Sequence, residues 1–135
     1  MSDALSLIHE LHRAIETGAH GDALRPLFTA DAVTVERPNL ISPQGRCSPL
    51  EQMLAASAAG AGLLAEQTYD VWSEVAVDDT AIVRLTWTGT VAVDAGPFHA
   101  GQVLTAHIAQ FVTAREGRIS GIETYDCYEP FDSPA

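Results

Sequence analysis

A chain of 135 residues has the length of one ordinary domain, enough to bury roughly two-thirds of the surface its unfolded form would expose. Hydrophobic residues make up 47% and charged residues 19%, a balance that excludes a disordered chain and predicts a packed core. Seven Lys and Arg against eighteen Asp and Glu leave a formal charge of −11, which argues against a nucleic-acid backbone or an anionic membrane surface as partner.

In chain order, the opening segment from Met1 to Arg13 lacks a basic stretch followed by an unbroken apolar run, so it does not read as a secretory signal, and a cytoplasmic protein is expected. Residues 4 to 17 place Ala4, Leu7, Ile8, Leu11, Ala14 and Ile15 on one stripe at the three-and-four spacing of an amphipathic helix. Ser2 or Asp3 can cap it and Gly18 can end it. His9, His12 and Glu16 could share a helical face as metal ligands, yet they occupy positions opposite the stripe and read as a solvated face, so no metal is expected. Gly21 and Asp22 open a short second helix whose regularity Pro26 limits. The alternation from Val33 to Arg37 predicts a strand ended by Pro38. Ser48, Pro49 and Glu51 combine an N-cap, a first-turn proline and a reciprocal carboxylate, predicting a third helix that fades near Gly60 and Gly62.

From Glu66 onward the pattern changes to strands over residues 66 to 77, 80 to 93, 99 to 114 and 118 to 128, rich in Val, Ile, Thr, Trp and Tyr. Short turns at Asp78–Asp79, Ala95–Pro97 and Arg115–Gly117 require these strands to run antiparallel. Helices first and strands afterwards is an α+β arrangement in a single domain over residues 1–135. The Gly60-Ala61-Gly62-Leu63-Leu64-Ala65 run matches the letters of a dinucleotide fingerprint but ends a helix instead of following a strand. Cys47 and Cys127 lie far apart without ligand spacing and read as reduced structural thiols. Covalent acyl chemistry has no support, since no nucleophile signature is present.

The order of elements, with Leu27 to Pro38 after the second helix and Phe111, Gly117-Arg118-Ile119 and Tyr125-Asp126 near the end, resembles the nuclear-transport-factor-2-like superfamily, in particular its SnoaL-like polyketide cyclase group. The resemblance covers nearly the whole chain and rests on short, mostly structural motifs. It implies a cone of helices and a bent sheet around an apolar cavity, in a superfamily that includes isomerases, cyclases, dehydratases, epoxide hydrolases and non-catalytic binders. A fold of this kind does not select among them.

Strand parity then nominates cavity residues. Ala81, Val83, Leu85 and Trp87 share one face of their strand and are expected inside. Matching Phe111 to the family's pocket-facing aromatic puts His107 inside as well, and leaves Leu104, Ile108 and Val112 on an apolar outer face that suggests a homodimer through the sheet. Parity carried over from similar isomerases places Val33, Val35 and Arg37 inside, with Ile122, Thr124, Asp126 and Tyr128. Arg37, His107 and Asp126 would then converge as catalytic groups in a cavity lined by Val35, Met53, Val83, Leu85, Trp87, Phe111, Thr124 and Tyr128. Tyr69, Trp72 and Glu123 read as packing or surface residues.

Asp126 would serve as general acid and base, His107 would share or orient the proton, and Arg37 would stabilise an oxyanion. Such a set suits cofactor-independent cyclisation or isomerisation of an apolar carbonyl compound, and the resemblance adds intramolecular aldol closure of a polyketide as the example. The competing reading is a non-catalytic ligand-binding or dimerisation module, because acids of better-known relatives are missing. Ketosteroid isomerases carry their base where this chain has Arg37 and their donor acid near Ala109. Limonene epoxide hydrolases carry an Arg-x-Asp pair where Arg84 and Thr86 stand, and the two histidines of scytalone-type dehydratases find only a partial match in His99 and His107.

Overall fold

The structure, a computed structural model, describes residues 3–131; the capping candidate Ser2 lies outside the described residues. Helix α1 spans Ala4–Glu16 and is followed by a 3-10 helix over Gly21–Leu27. Strands β1 (Phe28–Glu36) and β2 (Arg46–Pro49) precede helix α2 (Leu50–Gly60). The remainder is the run β3 (Leu64–Val77), β4 (Thr80–Val91), β5 (Val103–Arg115) and β6 (Arg118–Tyr128). All six strands join in one sheet, ordered β2-β1-β6-β5-β4-β3. The β1–β6 pair is parallel and every other pair antiparallel, as the short turns require. This is the expected α+β architecture, with helices on one face of a mixed sheet.

Alternation decides which face is covered. In β4, Ala81, Val83, Leu85 and Trp87 are buried, and the ladder sets them beside Val112, Gln110, Ile108 and Ala106 of β5. The β6 partners of that row are Ile122, Thr124, Asp126 and Tyr128. Helix α1 lies across this face and buries Ile8 and Leu11 against it, while α2 adds Leu50 and Leu54 over β1. The core is therefore the space between the helices and the inner face of the sheet, and each fully buried Leu or Ile there contributes roughly 1.5–3 kcal/mol.

Local chemistry departs from the sequence expectation in four places. Ser48 does not cap α2: it pairs with Thr34 in the β1–β2 ladder, Pro49 is still extended, and the helix begins at Leu50 without a side-chain cap. Its ladder position overrides the capping signal. Strand β1 starts at Phe28, five residues before the alternation shows, because a bulge between Phe28 and Val33 breaks the period. Residues 92–93 and 99–102, expected to end one strand and begin the next around a turn at Ala95–Pro97, belong instead to a loop over 92–102 closed by an Ala95–Phe98 bridge. Both cysteines are unpaired and exposed, so neither acts as a core thiol.

The β1–β2 connection is built around Asn39. Its side-chain oxygen accepts from the Ile41 and Ser42 amides, and its Nδ2 donates to Glu36 Oε2 at 2.8 Å. Gly45 closes the loop at φ 71°, where a Cβ would lie 2.7 Å from the Glu36 carbonyl oxygen, so only glycine fits. That loop holds Glu36 at the rim of the inner face.

Candidate functional site

The covered face carries a small set of polar groups among its apolar rows, including His12, Gln110, Thr124 and Asp126. Asp126 is half-buried, and the Thr124 hydroxyl donates to its Oδ1 at 2.5 Å. Burial pushes the Asp126 carboxyl above the usual carboxylate range; the Thr124 hydrogen bond opposes this and the Glu36 charge reinforces it. Among the described residues, no arginine forms an ion pair with Asp126. A carboxyl raised in this way is, when ionised, a stronger base than a surface aspartate.

An aromatic wall stands beside it. Tyr69 lies opposite Trp87 across the β3–β4 ladder, and Trp87 meets Tyr128 edge-on at 6.3 Å. The Trp87 indole folds back over Gly89, where a Cβ would sit 2.5 Å from Cζ2 and Cη2, and donates its Nε1–H to Gln67 Oε1 at 3.0 Å. Phe131 continues the wall from Tyr128 to Phe98. Both phenols are shifted upward, chiefly by burial and then by Asp126, so they remain neutral hydrogen-bond groups. Met53 closes the α2 side, accepting from the Thr34 hydroxyl on its sulfur.

Seven of the residues named from the sequence come together here. Asp126, Thr124 and Tyr128 of β6, Val83, Leu85 and Trp87 of β4, and Met53 of α2 all face inward. Four do not: in β5 parity taken from a resemblance displaced the alternation of this chain, and in β1 the apolar parity of Val33 and Val35 is itself the outer one. The parallel register sets Thr34 and Glu36 beside Ile122 and Thr124, so Val35 and Arg37 point outward. Arg37 pairs there with Glu123, its Nε donating to Oε2 at 2.7 Å, and approaches the Tyr125 ring. In β5 the buried set is Leu104, Ala106, Ile108, Val112 and Ala114. His107 is consequently exposed and donates from Nε2 to Glu129 Oε2 at 2.8 Å, while Phe111 packs on Tyr125 across the outer face. The face expected to support a dimer through Leu104, Ile108 and Val112 is thus the helix-covered one.

The sequence reading missed Tyr69, Glu36, His12 and Gln110, all inner-face residues. His12 is buried, not solvated; its Nε2 lies 2.8 Å from Gln110 Oε1, and its ring stacks on Tyr69 with centroids 4.3 Å apart and planes at 9°. Its spacing of four from Ile8 was the available signal. For Tyr69 the signal was alternation with Gln67 and Val71. Among the described residues, no group of three or more His, Cys, Asp or Glu is placed to hold a metal ion.

No family profile matches the chain, and no curated protein matches it. Solved structures do. IdmH of Streptomyces antibioticus, a candidate polyketide cyclase, is similar with a TM-score of 0.74 and 22% identity over 93% of this chain and 92% of that one. A Catenulispora acidiphila protein with a ketosteroid isomerase-like fold, solved in complex with trimethylamine, gives 0.68 at 18% identity over 90% and 85%. A candidate SnoaL-like polyketide cyclase from a Jannaschia species gives 0.69 at 16% identity over 91% and 84%. The chain has the ketosteroid isomerase-like, nuclear-transport-factor-2-like fold.

Proposed function

We propose that the chain is a cofactor-independent acid and base enzyme that cyclises or isomerises an apolar, polyketide-like carbonyl compound, with Asp126 as its proton-transfer group. The observation that carries this reading is a half-buried carboxyl without an arginine partner, raised in pKa, between a hydroxyl donor and an aromatic wall. As carboxylate, Asp126 takes the proton from the carbon next to a carbonyl; the C–H pair becomes the enolate double bond and the carbonyl pair moves to oxygen. Attack of that carbon on a second carbonyl of the same molecule forms the new C–C bond. The resulting alkoxide recovers the proton from Asp126. Returning the proton to a different carbon gives isomerisation instead. Trp87, Leu85, Val83, Met53, Thr124 and Tyr128 form the substrate wall in this account, and fold likeness to candidate polyketide cyclases supports the substrate class.

Phe111, Tyr125, Trp72 and Val75 expose apolar surface on the outer face or its edge, and a homodimer through that face is part of the proposal. Among the described residues no helix is long and apolar enough to cross a membrane, and the charge of −11 favours neither membrane nor nucleic acid; we place the protein in the cytoplasm.

The test is deuterium exchange at the α-carbon of a hydrophobic ketone, 2-tetralone, followed by NMR. Wild type should accelerate exchange, and Asp126→Asn should lose that acceleration by about 100-fold or more. Equal rates for the two proteins would overturn the proposal.

A further inference from the structure

The inner face holds a second titratable group that the proton-transfer account leaves unused. His12 is 4% exposed, and Nδ1 is the one fully buried side-chain nitrogen or oxygen without a hydrogen-bond partner among the described residues. The tautomer follows from geometry. Gln110 Oε1 only accepts, so Nε2 carries the proton and Nδ1 presents a bare lone pair. Rotation cannot relieve it, because the ring is pinned at its edge by Gln110 and on its face by Tyr69. An unpaired buried acceptor is costly, and native interiors rarely keep one without a use.

Its place in the ladder joins it to the site. Gln110 lies directly opposite Thr124 in the β5–β6 pair, and Thr124 holds Asp126. Tyr69, on which the imidazole stacks, stands opposite Trp87 and feels the Asp126 charge. A recess of about 190 Å3 between α1 and β3, lined by His9, His12, Arg13, Glu16, Tyr69 and Val71, reaches the ring. A fixed acceptor beside an aromatic face thus lines this recess, linked to the Asp126 carboxyl through Gln110 and Thr124.

We infer that His12 Nδ1 selects substrates bearing a hydroxyl or enol on an aromatic or planar framework, accepting that group's hydrogen bond while the framework lies against Tyr69. The inference deepens the proposed function and rests on its placement of the substrate. Burial holds the imidazole below its usual pKa, opposed by the Gln110 bond and by Glu16 and reinforced by His9, so Nδ1 remains free to accept at neutral pH.

Nitrogen-15 NMR of the full chain with 2-naphthol as probe and 2-methoxynaphthalene as its donorless control tests this. His12→Gln, which keeps the Gln110 contact but lacks Nδ1, identifies the resonance. The His12 Nδ1 signal should move upfield with 2-naphthol and stay in place with the ether, which should bind about tenfold more weakly. His12→Phe, which keeps the stacking, should bind both compounds alike. An Nδ1 signal unmoved at the solubility limit of 2-naphthol, or equal binding of naphthol and ether by wild type, overturns the inference. The naphthol response should persist in Asp126→Asn, whereas failure of the Asp126 account appears separately, as unchanged 2-tetralone exchange in that variant.

Discussion

Asp126 carries opposite consequences for reactivity and for stability. Its folded-state pKa is raised, mainly by burial, so the folded protein binds this proton more tightly than the unfolded chain does. The linkage sign is then fixed: the favourable contribution is present below the unfolded carboxylate pKa of about 4 and is lost as pH rises through the folded value. Asp126→Asn should therefore raise Tm at pH 7, with a gain that shrinks toward zero below about pH 4, and this is read by thermal unfolding across pH. A variant that is less active and more stable is the mark of a strained functional group; a Tm lowered equally at both pH values would make the carboxyl structural. His12 has the reverse sign, since its depressed pKa withdraws stability as pH falls from the usual imidazole range toward the lowered value. At this scale Asp126, Thr124 and Tyr128 were reached through the resemblance to isomerases, since Tyr125 and Cys127 on the other parity leave β6 without a clean alternation of its own. The sequence hid His12, whose polarity argued for solvent while its spacing from Ile8 argued for the core.

The elements explain why two of the three proposed catalytic groups lie on the other side of the sheet. Strand β5 reads Leu104, Ala106, Ile108, Gln110, Val112 and Ala114 on one parity and Val103, Thr105, His107, Ala109, Phe111, Thr113 and Arg115 on the other. Its own period-two pattern names the buried face, and a one-residue slip exchanges every side chain. Five apolar positions on the even parity outweigh Phe111, Val103 and Ala109 on the odd one. The two faces predict different mutational costs. Ile108→Ala should destabilise by about 2–5 kcal/mol in urea unfolding, as deletion of a buried side chain does. Phe111→Ala, removing a residue 39% exposed, should cost about 1 kcal/mol or less in the monomer. A reversed order would return Phe111 and His107 to the interior. The missed β2 has a different cause: four residues containing Ser48 and Pro49 carry no strand periodicity, and only their ladder with β1 makes them a strand.

For the whole molecule, composition, charge and the order of helices before strands conveyed the architecture, because a single 135-residue chain with four long closely joined strands has few ways to cover one sheet face. The site was less legible. It depends on facing residues from α1, α2 and five strands, and sequence spacing within each says nothing of which rows meet. What folding assembles is an acidic protein whose inner face sets one raised carboxyl, two neutral phenols and one neutral imidazole against an aromatic wall. The arginine and histidine first grouped with Asp126 lie behind it, on the other side of the sheet. The most direct test of that arrangement is 2-tetralone α-proton exchange in wild type, Asp126→Asn, Arg37→Ala and His107→Ala side by side. Loss of about 100-fold in Asp126→Asn, with both outer-face variants within about twofold of wild type, is the predicted result. Exchange that survives in Asp126→Asn, or collapses in Arg37→Ala or His107→Ala, would contradict it.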